Sequence, residues 1–152
     1  MISAIILTCF LSHRECWKKA IELDEPVLVL EHDAVFTAPL PKININFKVI
    51  SFGRPSYGMY RVSERKGVFG AFSKPGGYLP GAHGYLVSPR GAKILVEKSY
   101  THAEPTDIYL KKDNFPWLSE YYPWPIMADD SFSCIQLDEG CKAKHNYNKG
   151  ID

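Results

Sequence analysis

The sequence predicts an α/β domain in which strands alternate with helices, and three observations point there. A helix-patterned stretch runs almost directly into the apolar segment Val27–Leu30. Further on, "GAHGYLVSPRGAKILVEKS" reads as a short strand, a turn and a second helix. A length of 152 residues suits one domain spanning the whole chain, with a polar, peripheral tail over 138–152. The formal net charge of +1 gives no global pull toward nucleic acid or an acidic membrane, so any electrostatic function must be local.

The opening "MISAIILTCFLSHRECW" lacks a basic leader, a small-residue cleavage site and the length of a membrane span. It is expected to be part of the fold, with residues 1–8 supplying a strand at most, and the expected location is the cytoplasm. Cys9, Cys16, Cys134 and Cys141 form no C-x-x-C pair and are expected to be buried free thiols.

In "SHRECWKKAIELDEP", Ser12 and Glu15 have the spacing of a capping box, which predicts a helix start at Ser12. His13, Cys16, Trp17, Ala20 and Ile21 recur at helical spacing on one face. Pro26 ends the helix near Glu25. The unbroken apolar run Val27–Leu30 suits an interior strand covered on both faces. A second β-rich run follows at Phe47–Phe52. Residues 53–80, rich in Gly, Pro, Ser and Tyr, read as a long loop region. Ser88 is placed to cap the second helix, with Pro89 at its first position. "PTDIYL" starts a further short helix, and the aromatic, Pro-rich "FPWLSEYYPWP" comes after it.

The apolar run ends in Glu31-His32-Asp33, with no Lys or Arg beside it. If the extended conformation continues, both carboxylates point to one side and His32 to the other. Uncompensated, they repel each other. A divalent Mg²⁺ or Mn²⁺, with its preference for hard oxygen ligands, would resolve this, and so would plain solvation of a strand end.

Four segments in order carry a resemblance. They are "CFLSHRECWKKAI" with "PVLVLEHDAVF", then "GAHGYLVSPRGAKIL", "PTDIYL" and "YPWPIMADDSFSCI". Together they resemble glycosyltransferase family 25, which includes lipopolysaccharide-type and collagen galactosyltransferases. The resemblance implies a GT-A-like, Rossmann-like mixed sheet flanked by helices. It also implies a UDP-sugar or similar nucleotide-sugar donor, a glycan or lipopolysaccharide-type acceptor, and inverting, metal-assisted transfer, with galactose the expected sugar. By position, Glu31 and Asp33 would hold Mn²⁺ or Mg²⁺, and His32 stands where the family usually has Asp. The family's usual front strand and helix have no counterpart here. A truncated member of this kind would expose a sheet edge, and a homodimer or partner subunit is expected to cover it. The alternative is a non-catalytic remnant that binds a sugar, a nucleotide or a protein.

Other residues then take expected roles. Asp107 is the candidate general base, or a helix cap, with Asp129 and Asp130 next in line. His13, His32, Gly81, His83 and Gly84 are candidates for the donor side, the glycines because they permit close approach. Trp117, Tyr121 and Trp124 would stack on an acceptor sugar, or simply pack. Arg54, Arg61, Arg65, Lys66 and Lys74, interleaved with Tyr57, Tyr60, Phe69 and Phe72, suggest a loop closing over a diphosphate or an anionic acceptor, or a merely solvated loop, rather than a nucleic-acid surface.

Overall fold

A computed structural model describes residues 4–56, 58–129 and 131. Tyr57, Asp130, Cys134, Cys141 and the 138–152 tail lie outside the described residues. The first element, α1 (Ala4–Leu23), is longer than its expected start at Ser12. Ser12 is not a cap: its hydroxyl donates to Thr8 O at 3.0 Å, one turn back, as Thr8 does to Ala4 O at 2.8 Å. The apolar stretch before Ser12 is compatible with helix and continues it upstream, so residues 4–8 are helix rather than strand. The buried face is Phe10, His13, Trp17 and Ala20. Cys9, by contrast, is exposed. The helix stops where Asp24 turns left-handed (φ 52°), two residues before Pro26.

The strands are β1 (Val27–Leu30), β2 (Ala34–Phe36), β3 (Val49–Ser51), β4 (Gly67–Gly70), β5 (Gly84–Val87), β6 (Ser119–Tyr122) and β7 (Ile126–Ala128). Five form a mixed sheet in the order β1-β5-β3-β6-β4, while β2 and β7 pair as a separate ribbon. Within this sheet β3 and β6 are parallel and the other described pairs are antiparallel. The helices α2 (Pro89–Ser99) and α3 (Thr106–Tyr109) complete an α/β domain of the Rossmann-like mixed type. As expected, Ser88 caps α2 by accepting from Gly91 N–H at 3.1 Å, with Pro89 at the first turn.

β1 is an edge strand, not an interior one. Its apolar run is explained by cover on both faces all the same. Val27 and Val29 pack into the main core with Phe10, Trp17, Tyr85, Leu95 and Tyr109. Leu28 faces a second cluster around Ile50, Phe52 and Ile126. The segment read as a continuous loop holds β4, the other edge, and a single 3₁₀ turn at Pro75–Gly77. Antiparallel pairing makes β1, β3 and β6 run one way and β4 and β5 the other. Glu31, Gly53 and Trp124 therefore lie at one end of the sheet, with His83 before β5, and Lys48 and Trp117 lie at the opposite end.

Candidate active site

The backbone ladder of β1 runs one step past the strand, with Glu31 N–H donating to His83 O at 3.1 Å. The chain then turns, because Ala34–Phe36 leaves the sheet to pair with β7. Ala34 N–H closes this turn onto Glu31 O at 3.1 Å. The expected extended alternation through Glu31-His32-Asp33 is thus replaced by a tight turn, in which His32 is exposed.

Glu31 has a close partner that its neighbours in sequence did not reveal. His13 Nε2, from α1, lies 3.0 Å from Glu31 Oε1. Burial alone would raise the Glu31 carboxyl, but the His13 hydrogen bond and the fields of His13, His83 and His32 outweigh it and hold the group below its usual range. Behind His13, its Nδ1 meets the Tyr85 hydroxyl at 2.8 Å, and Trp17 Nε1–H donates to the same hydroxyl at 2.7 Å. Tyr85 and Trp17 are both 0% exposed, which places a polar chain inside an aromatic core. Burial drives the Tyr85 hydroxyl well above its ordinary pKa, keeping it protonated.

Asp107 lies in the first turn of α3, whose N-cap position is Pro105. Its surface is solvent-exposed, yet protein crowds it on the remaining sides. That crowding, and then the charge of Glu31, push its carboxyl up, while the amides of Asp107 and Ile108 and the Lys74 ammonium pull the other way. Burial in turn lowers the half-buried Lys74, with Asp107 opposing. Asp107 thus feels the charges of both Glu31 and Lys74. The Cys9 thiol is also pushed up, by partial burial and by Glu31.

The room made by the glycines is taken by the protein itself. A Cβ on Gly81 or Gly53 would stand 2.6 Å or 2.5 Å from the buried His83 ring, and one on Gly84 would stand 2.7 Å from Ile126. The close approach that Gly81 and Gly84 permit is therefore to His83 and Ile126. Asp33 binds Asp129 through its backbone, Asp129 N–H donating to Asp33 O at 2.8 Å. Asp33 Oδ1 is buried without a hydrogen-bond partner among the described residues. Nor do three His, Cys, Asp or Glu side chains form a ready metal cage among those residues.

The aromatic candidates are dispersed. Trp124 is at the same end of the sheet as Glu31 and donates to Glu120 Oε2 at 3.1 Å. Tyr121 packs edge-on against Phe52 in the second core cluster. Trp117 lies at the far end, in a recess of about 300 Å³ beside Lys48 and Arg90. Arg54 and Tyr60 line a smaller recess of about 190 Å³ with Ala128, whose strand partner is Ala34.

Residues 2–52 match the family model described as glycosyltransferase family 25 (LPS biosynthesis protein). This is the family that the sequence resembles. The match covers part of a domain and spans α1, β1, the acidic turn and β3. At the level of the family it supports a glycosyltransferase of the lipopolysaccharide-biosynthesis type. No curated protein and no solved structure matches the chain. Tyr85, His83 and Asp107 fall outside the matched stretch, and the fold brings them to His13 and Glu31. No local signal sets Tyr85 apart within the strand segment "GYLV". Among the described residues, no helix is long and apolar enough to cross a membrane.

Proposed function

We propose that the chain transfers a sugar, galactose in the first instance, from a nucleotide-sugar donor to a hydroxyl of a lipopolysaccharide-type glycan, with inversion. The observation that carries this reading is the family match over residues 2–52, because that stretch delivers His13, Glu31 and Asp33 to one end of the sheet. Asp107 acts as general base: its carboxylate takes the acceptor hydroxyl's proton as that oxygen attacks the anomeric carbon and the bond to the diphosphate breaks. A raised carboxyl that solvent still reaches suits that role. Lys74 supplies positive charge beside the leaving diphosphate.

Glu31 and Asp33 are compatible with a divalent cation that takes most of its shell from the diphosphate. His13 engages only Oε1 of Glu31, and Asp33 Oδ1 has no protein donor among the described residues. A bound Mn²⁺ or Mg²⁺ would neutralise charge on the departing nucleoside diphosphate.

The partial extent of the match favours one alternative, a nucleotide-sugar-binding module without turnover. Incubation with UDP-sugars and Mn²⁺, with and without a glycan acceptor, separates the two. Released UDP supports the transferase. Thermal stabilisation by the UDP-sugar without UDP release leaves the binding module, and neither response sinks both readings.

A further inference from the structure

Three sequence segments that lie far apart meet in one hydrogen-bonded chain: Trp17 and His13 in α1, Tyr85 in β5, and Glu31 at the end of β1. The proton positions along it follow from what each group is able to do. An indole N–H only donates, so the Tyr85 oxygen accepts from Trp17. Tyr85 then has a single proton to place, and in the described surroundings the remaining partner is His13 Nδ1, 2.8 Å away.

Suppose His13 instead carried its proton on Nδ1. The Tyr85 proton would be left without an acceptor in a fully buried core, and a bare Nε2 lone pair would face the Glu31 carboxylate at 3.0 Å. A doubly protonated ring would repair the second fault but not the first. Only the neutral Nε2–H form satisfies all four groups.

We infer that Tyr85 is a positioning residue. It fixes His13 as the neutral Nε2–H tautomer, and His13 in turn pins Glu31 through Oε1, leaving Oε2 for a ligand. Trp17 orients the Tyr85 hydroxyl by occupying its acceptor side. The ring of Tyr85 also stacks on His13, with centroids 5.8 Å apart and planes 14° from parallel, so the imidazole is held by packing as well as by its proton. The tautomer assignment stands by itself, and only its consequence for turnover rests on the transferase reading.

Nitrogen-15 spectra of histidine-labelled protein at mildly alkaline pH test the assignment directly. In the parent, His13 should show protonated Nε2 and an unprotonated, hydrogen-bonded Nδ1. Tyr85→Phe keeps the ring and removes the hydroxyl, and it should give a mixture of the two tautomers. Trp17→Phe leaves the hydroxyl donor in place and should preserve the parent tautomer. A parent protein with protonated Nδ1, or a folded Tyr85→Phe protein with the parent's single tautomer, overturns the inference. Should Tyr85→Phe fail to fold, the parent spectrum alone still decides the tautomer. Where UDP release is measurable, Tyr85→Phe should lower it about 10–100-fold, the usual effect of losing an outer partner of a site residue. Undiminished release from a folded Tyr85→Phe protein refutes the positioning role. An absence of release from the parent speaks against the transferase alone and leaves the tautomer result standing.

Discussion

Two glutamates, one inside β6 and one just past β1, have opposite fates. Glu120 in β6 is 0% exposed, and both its oxygens are hydrogen-bonded. Phe72 N–H and Ser73 N–H donate to Oε1 at 2.6 and 2.7 Å, and Trp124 Nε1–H donates to Oε2 at 3.1 Å. Glu31, after β1, keeps a side chain 36% exposed and uses one oxygen, toward His13. A carboxylate accepts about four hydrogen bonds, so unmet capacity is a physical measure of availability. Glu120 is a clamp that secures the segment leading to Lys74. Glu31 is oriented from behind and open in front. Glu120 accepts three hydrogen bonds from the protein's own donors and Glu31 one, which leaves more of Glu31's capacity open.

Asp107 extends that comparison to a carboxylate whose charge the fold disfavours, and it should give the largest effect. Asp107→Asn should lower transfer by on the order of 10²–10⁴-fold with donor binding little changed, measured as kcat against the donor's Kd. The pH profile sharpens the test. The Asp107 carboxyl is raised, so it gains its proton first as pH falls, and activity should drop through a pKa above the ordinary aspartate value of about 3.9. Glu31, held low, stays ionised over that window, so the acid limb should have the slope of one proton. A two-proton limb would mean the two groups titrate together. By linkage, a raised folded-state pKa makes the ionised Asp107 a stability cost that is present above that pKa and relieved as pH falls through it. At neutral pH, Asp107→Asn should therefore melt no lower than the parent.

Next in size is the contrast between the glutamates themselves. Glu120→Gln puts an amide NH₂ against N–H donors and removes a buried charge acceptor, at a cost of about 3 kcal/mol in urea unfolding. Glu31→Gln should cost about 1 kcal/mol or less, while abolishing stabilisation by UDP and Mn²⁺. The comparison breaks if Glu31→Gln proves the more destabilising of the two. The smallest effect belongs to Trp124→Phe, which withdraws one donor from Glu120 and should cost about 1 kcal/mol with UDP binding unchanged. Lost UDP binding in that variant would give Trp124 a direct role at the site.

Much of the frame was legible in local chemistry. Ser88-Pro89 announces α2, the apolar run 27–30 announces β1, and the inward face of α1 follows from helical spacing. β2, β4, β6 and β7 were not legible, because strands of three or four residues show too few alternations and are defined by distant partners. Phe36 meets Ile126 across ninety positions of chain, and nothing near either residue signals it. Ser12 misled for a related reason. Its capping-box spacing is real, but helix-compatible residues upstream let the helix run through it.

The sequence by itself determined which residues carry charge and which faces are apolar, and so the α/β alternation, the Ser88 cap, and an acidic triplet at a strand's end. Only the tertiary structure decided what that triplet faces. His13 is eighteen positions before Glu31 and Tyr85 is seventy-two beyond His13, yet the three close into one chain at hydrogen-bond distance. Periodicity and capping act within a few residues. Which donor meets a carboxylate is set by how α1 and β5 pack across the core, a long-range choice that local sequence leaves open.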